Sequence, residues 1–326
     1  MKIAYIVRDF GLLSETFVTD LALGLANTGQ QITILCNNCA EVIPDDLCVE
    51  QVNFLTPSSI IDRISFGINE LFGQHREVKT FEWYLKHSYK KLLPALKKHQ
   101  PDVAYFDFGT VAVLAREALQ KLNIPFIVHF HGSDISSALN KSAYRKELQK
   151  VFQDASVLVV ASNHIRRLLV LEGAPPEKLQ LVRLGINIEN IVPKSWSQRA
   201  KEPPSIVFLG RFTPKKNPVA LVEAFAIVKQ VIPEAKLSMI GDGTEMPRVK
   251  QRIEQLGLTE EVKLYGALPH HQALPILNQH WVFAQHSVTA PSGDQEGFGI
   301  SIAEAAALEL PVVSTLHNGI PEQVID

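Results

Sequence analysis

The sequence is poor in cysteine, in net charge and in long apolar runs, and each shortage removes a class of function. Three cysteines are an odd number and provide no disulfide framework. Two of them form Cys36-Asn37-Asn38-Cys39, but no second ligand pair accompanies this C-x-x-C. It reads as reduced thiols in a βα loop, not as a redox or metal centre. No apolar run reaches the length of a membrane span, and residues 1–7 read as a first strand, not a signal peptide, so a cytoplasmic protein is expected. A net charge of −2 offers no general attraction to nucleic acid. The loop after the first strand holds one glycine, Gly11, where a dinucleotide fingerprint needs G-x-G-x-x-G, so NAD binding is disfavoured. There is no Asp-x-Asp, no low-complexity tract and no solenoid repeat.

What is present is alternation. Residues 2–7, 31–35, 102–106, 125–130 and 156–161 are short apolar runs with the character of buried parallel strands. Between the first two, Phe17, Val18, Leu21, Ala22 and Leu25 share one helix face, with Ser14 as candidate cap and Gly29 as stop. Residues 193–204 are polar and proline-rich and break the rhythm, as a linker would. Alternation then resumes. Strands are predicted at 205–209, 236–240, 262–265, 281–285 and 311–314, and helices at 218–230, 246–256, 271–278 and 301–308. The prediction is an α/β protein of two Rossmann-like, doubly wound lobes, 1–192 and 205–326, joined by the linker 193–204. The chain ends soon after a strand and a turn, so the second lobe is expected to be incomplete, as in a C-terminally truncated chain.

The richest segment is Glu296-Gly297-Phe298-Gly299-Ile300-Ser301-Ile302-Ala303-Glu304. Two glycines precede a helix start, where backbone N–H groups attract phosphate. Glu296 falls in the loop and Glu304 about one turn inside the helix, and acceptor-only carboxylates suit sugar hydroxyls. Gly210-Arg211-Phe212-Thr213-Pro214-Lys215-Lys216-Asn217 follows the first strand of the second lobe, and Arg211 and Lys216 there could hold a diphosphate as it leaves. Gly241-Asp242-Gly243 reads as a tight turn. In the first lobe His129-Phe130-His131-Gly132-Ser133-Asp134 ends a strand. Alternation points both histidines to one side, and one could bond a sugar; a metal is the other reading, but H-x-H-x-x-D lacks a further ligand. Residues 86–99 carry Lys86, Lys90, Lys91, Lys97 and Lys98 beside four leucines, either a solvated basic face or a surface for an anionic membrane, with Pro94 interrupting the periodicity.

Gly210-Arg211-Phe212…Lys216-Asn217 and Glu296-Gly297-Phe298-Gly299…Glu304-Ala305 together resemble the retaining GT-B glycosyltransferases of family 4. Ser14-Glu15-Thr16-Phe17 and Val288-Thr289-Ala290-Pro291…Gly293-Asp294-Gln295-Glu296-Gly297 are similar to its subgroup that builds exopolysaccharide, colanic-acid-like and lipopolysaccharide chains. The likeness spans the chain. It implies that Glu296 holds the donor sugar and Glu304 the ribose, that Arg211 and Lys216 sit on the diphosphate after Gly210, and that amides near Phe298, Gly299 and Ile300 add phosphate contacts. Leu264 and Tyr265 would receive the base. His131 would lie near the transferred sugar, with Asp134 and the loop of Gly11, Ser14, Glu15 and Thr16 facing the cleft and acceptor. The resemblance implies transfer of a hexose from a UDP- or GDP-sugar to a hydroxyl of a growing glycan or glycolipid, without metal or other cofactor, in the cytoplasm or peripheral to the inner face of the membrane. A nucleotide-sugar-binding fragment and a sugar-nucleotide epimerase are the alternatives. Two departures stand out: Gly11 replaces a frequent proline, and Glu309 replaces a frequent glycine before Leu310-Pro311.

Overall fold

A computed structural model describes residues 1–12, 15–40, 43–44, 46–56, 76–189 and 191–324. The chain divides into two units, Met1–Arg183 and Leu184–Asp326. Strand β1 (Lys2–Phe10) lies mid-sheet in the first unit because it is apolar on both faces: Ala4, Tyr5 and Ile6 have no exposed surface. Around it are β2 (Gln31–Cys39), β3 (Cys48–Gln51), β4 (Val103–Asp107), β5 (Phe126–Phe130), β6 (Val157–Val160) and β7 (Leu179–Leu181). The order is β3-β2-β1-β4-β5-β6-β7, all parallel. The order reverses between β1 and β4, so the carboxyl ends of those strands open a crevice suited to a ligand.

Helices α1 (Thr16–Asn27), α2 (Arg76–His99), α3 (Gly109–Leu122), α4 (Ser142–Asp154) and α5 (Asn163–Leu171) fill the connections. The N-cap of α1 is Glu15, which makes no side-chain cap bond; the cap expected from Ser14 lies outside the described residues. Helix α2 continues through Pro94, where sequence predicted an interruption. Pro94 is exposed, while Leu92, Ala95 and Leu96 beside it are buried, and this packing outweighs the one missing N–H. Its leucine stripe turns inward, leaving Lys86, Lys90, Lys97 and Lys98 exposed. No helix among the described residues is long and apolar enough to cross a membrane.

The second unit holds β8 (Ser205–Leu209), β9 (Lys236–Ile240), β10 (Val262–Gly266), β11 (Val282–Gln285) and β12 (Val312–Ser314) in the parallel order β10-β9-β8-β11-β12. Helices α7 (Pro218–Val231), α8 (Met246–Gln255), α9 (His270–Leu277) and α10 (Ile300–Ala307) connect them. The order reverses between β8 and β11. The segment 193–204, expected as a linker, is structured and belongs to this unit. Its helical turn α6 (Trp196–Arg199) packs Trp196 on Trp281 at a 4.8 Å ring separation, and buried Arg199 donates to the carbonyls of Leu308 and Glu309 at the end of α10. A cation on those unsatisfied carbonyls complements the helix dipole.

Candidate active site

Three strand-end loops of the second unit are laced together. Gly210 donates to the carbonyl of Ile240 at 3.0 Å and Gly241 to that of Gly266 at 2.8 Å. Gly241 has φ +134°, and a Cβ there would lie 1.9 Å from the carbonyl oxygen of Gly210, so only glycine permits this approach. The Gly-Asp-Gly motif read as a tight turn is thus also a packing surface for the Gly210–Asn217 loop.

That loop carries two lysines with different partners. Lys215 lies 3.3 Å from Asp294 and donates to the carbonyl of Gln295, while its own carbonyl accepts from Val288 at 2.8 Å. Lys216 Nζ is 2.5 Å from Glu296 Oε2, with side chains 11% and 10% exposed. Ser287 Oγ donates to the same oxygen of Glu296 at 3.2 Å. Burial opposes ionisation of Glu296, but Lys216, Lys215 and the Ser287 hydroxyl outweigh it and hold the carboxyl at about 2. Burial, reinforced by Lys215 and Arg211, draws the Lys216 ammonium below its usual range against the pull of Glu296. Arg211 is exposed, close enough to act on Lys216 electrostatically.

Helix α10 begins behind Gly299, whose φ of +102° ends the loop from Glu296. The first amides of the helix lack intrahelical partners, and Phe298 is buried beneath them with its carbonyl accepting from Gln323 at 2.9 Å. Glu304, 4% exposed, pairs with His270 Nε2 at 2.8 Å. His270 opens α9, just beyond the end of β10. Within β10, Leu264 packs with one core cluster and Tyr265 with the other, on opposite faces of the sheet, and Lys263 lies 4.4 Å above the Tyr265 ring. Gly210, Arg211, Lys216, Glu296, Phe298, Gly299, Ile300 and Glu304 therefore fall on the carboxyl-end loops of this sheet or on the helix that directly follows one, and Leu264 and Tyr265 lie in the carboxyl-terminal half of β10 itself.

In the first unit, Gly11, with φ +82°, follows β1; Glu15 caps α1 and Thr16 begins it. His131 Nε2 is 2.6 Å from Asp107 Oδ1, and its ring lies 4.8 Å from Phe17 and 4.9 Å from Phe108. The bonds of the Asp134 carboxylate go to backbone amides and not to either histidine ring. Asp134 is 1% exposed, and its carboxylate accepts from the backbone N–H groups of Gly109, His131 and Gly132 at 2.9 to 3.2 Å. As placed, it shapes the β5–α4 connection and the start of α3, and it does not present a free carboxylate to an acceptor. The acid beside the two histidines is Asp107.

Residues 14–190 match the Glycosyltransferase Family 4 model, and residues 193–326 match Glycosyl transferases group 1. The chain belongs to glycosyltransferase family 4. This family 4 chain is 28% identical to AmsK of Erwinia amylovora, an amylovoran biosynthesis glycosyltransferase, over 99% of its own length and 84% of that protein. Identity and coverage are the same with WcaL of Salmonella typhimurium, named for colanic acid biosynthesis. Among solved structures, Anabaena HepE with UDP and glucose superposes at a TM-score of 0.76 and 20% identity, covering 100% of this chain and 83% of HepE. That likeness shows the GT-B fold, with a parallel-sheet α/β unit in each half. The family 4 chain is a glycosyltransferase enzyme.

Sequence reasoning missed Lys215, Ser287, His270, Asp107 and Tyr5. One signal could have found Asp107 and Ser287: each stands just at or beyond the carboxyl end of a strand beside an order reversal.

Proposed function

We propose that this glycosyltransferase moves a hexose from a UDP- or GDP-sugar to a hydroxyl of a growing exopolysaccharide or glycolipid, with retention of anomeric configuration and without a metal ion. The observation that carries the reading is the buried Lys216–Glu296 pair ahead of the α10 N-terminus, with Glu304 one turn into that helix. Without donor, the cation and the carboxylate satisfy each other. A nucleotide sugar supplies both substitutes: its diphosphate takes Lys216, and its sugar hydroxyls take Glu296. Arg211 and the first amides of α10 complete the anion site. As the bond from the anomeric carbon to the phosphate oxygen breaks, these fixed donors stabilise the negative charge on the diphosphate, the role a divalent cation would otherwise have. The acceptor hydroxyl adds on the face the diphosphate leaves and gives its proton to that phosphate. Glu304 grips the ribose through the oxygens that His270 now shares.

The names of AmsK and WcaL support a polysaccharide acceptor, and HepE, solved with UDP and glucose, supports a nucleotide-sugar donor. The enzyme would work in the cytoplasm, and the exposed lysines of α2 would give any peripheral contact with the inner face of the membrane an electrostatic character.

Incubating the chain with UDP-glucose or GDP-mannose and lipid-linked oligosaccharide acceptors, and reading the product by proton NMR, tests the proposal. An acceptor-dependent product with the anomeric configuration of the donor is expected. An inverted product, or epimerised donor formed without acceptor, contradicts it.

A further inference from the structure

Behind His131 the first unit contains a line of buried polar groups to which the proposed function gives no role. The parallel register sets Tyr5 of β1 beside Tyr105 of β4, and Asp107 of β4 beside His129 of β5. With a two-residue period, Tyr5, Tyr105, Asp107, His129 and His131 share one face of the sheet toward its carboxyl edge. Tyr5 has no exposed surface and donates its hydroxyl to Asp107 Oδ2. Burial, and then Asp107, raise the Tyr5 phenol well above its usual range, so it remains a neutral donor. The other oxygen of Asp107 meets His131 Nε2.

A carboxylate only accepts hydrogen bonds, so the His131 proton belongs on Nε2. Nδ1 of the same ring is then an acceptor, and it is buried with no partner among the described residues. Phe17 and Phe108 beside the ring limit its rotation. His129 does not compete for Asp107: its Nδ1 bonds the Tyr105 hydroxyl at 2.8 Å and stands 3.9 Å from the carboxylate. Asp107, His129 and His131 are close enough to hold a metal, with ligand atoms within 4.8 Å of one another. Yet His129 Nδ1, His131 Nε2 and both Asp107 oxygens already have protein partners, so hydrogen bonds account for the arrangement with no ion.

We propose that Tyr5 and Asp107 are positioning residues that hold His131 in its Nε2–H tautomer, presenting Nδ1 as an acceptor for a carbohydrate hydroxyl. The inference rests on the functional reading that places His131 at a sugar. It adds a selection rule: an acceptor nitrogen recognises an O–H donor and repels phosphate oxygen, so this group selects for sugar over diphosphate.

Two-bond ¹⁵N–¹H correlation spectra of the ¹⁵N-histidine-labelled full chain, with His131 assigned from His131→Ala, test it directly. The wild-type ring is expected to carry its proton on Nε2. Asp107→Asn, whose amide N–H can donate to the ring, should move the proton to Nδ1 and lower kcat by at least about 10-fold. Affinity for UDP or GDP should not change, and Tyr5→Phe should act in the same direction but less. A wild-type ring protonated on Nδ1, or an Asp107→Asn ring unchanged from wild type, overturns the proposal. The wild-type spectrum decides the tautomer even if Asp107→Asn fails to fold. Full transfer by His131→Ala would instead defeat the placement of His131 at a sugar, and the spectrum would still report the relay.

Discussion

Lys216 Nζ lies 2.5 Å from Glu296 Oε2, so a cation and a carboxylate from two different strand-end loops neutralise each other in a buried pair. The pair is preformed and buried. Under the proposed function, donor binding would exchange the partners of this pair and would not have to collect them from solvent.

This pairing changes how Glu296 should be tested. Glu296→Ala would leave Lys216 buried without a counter-charge, and breaking such a pair costs about 3–5 kcal/mol. Glu296→Gln also removes the counter-charge, but it keeps the shape and one acceptor for the Lys216 ammonium, so its loss of stability is smaller. It is expected to fold and to lose transfer by about 10- to 100-fold, the worth of a charged hydrogen bond to a hydroxyl. Steady-state kinetics with thermal melts on both variants check this. Equal stability of the two would contradict the burial argument.

The acid limb of stability should report the same carboxyl. Glu296 is held at about 2, against a usual 4.5. A depressed carboxyl stabilises the fold above its unfolded value, and that stability is lost as pH falls through the folded value. The stability gap between wild type and Glu296→Gln should therefore be flat near neutrality and narrow between pH 4.5 and 2. Melts in a pH series measure it. A gap that closes above pH 5.5, roughly a unit above the unfolded value, would contradict the assignment.

Glu309 occupies a glycine's position. It has φ +54°, follows α10 in a Schellman arrangement, and donates to the carbonyl of Ala306 at 2.9 Å, while Leu310 donates to that of Ala305 at 3.0 Å. A left-handed residue with a Cβ costs about 1–2 kcal/mol. Glu309→Gly should raise unfolding free energy by about 1 kcal/mol in urea titrations and leave transfer unchanged.

Asp134 should behave as a structural residue. Three backbone amides lose their acceptor in Asp134→Ala, so the first unit is expected to lose at least about 2 kcal/mol of stability. Affinity for UDP or GDP, which the proposed function assigns to the second unit, should not change. Calorimetric melting and nucleotide titration separate the two effects.

The fold was legible because parallel strands advertise themselves as apolar runs: the predicted runs 205–209 and 236–240 coincide with β8 and β9. Short strands such as β3, Cys48–Gln51, escaped notice because an edge strand of four mixed residues carries little pattern. The candidate site residues Glu296, Glu304, Arg211 and Lys216 stood out because they belong to compact motifs after strands. Their pairings did not. Lys216 and Glu296 are 80 positions apart, and Tyr5 and Asp107 are 102, so only sheet register brings them together. The partners of Asp134 were hidden for a related reason: it follows the histidines closely in sequence, yet its carboxylate accepts from two amides of its own turn and from the distant Gly109.

The most direct test of the central claim is a thermal-shift panel with UDP, GDP, TDP and ADP, each with and without EDTA, on this chain and on Glu304→Ala. One diphosphate should raise the melting midpoint, EDTA should not change that rise, and Glu304→Ala should weaken it. A rise abolished by EDTA, or one equal in Glu304→Ala, would contradict a metal-free donor site built on α10.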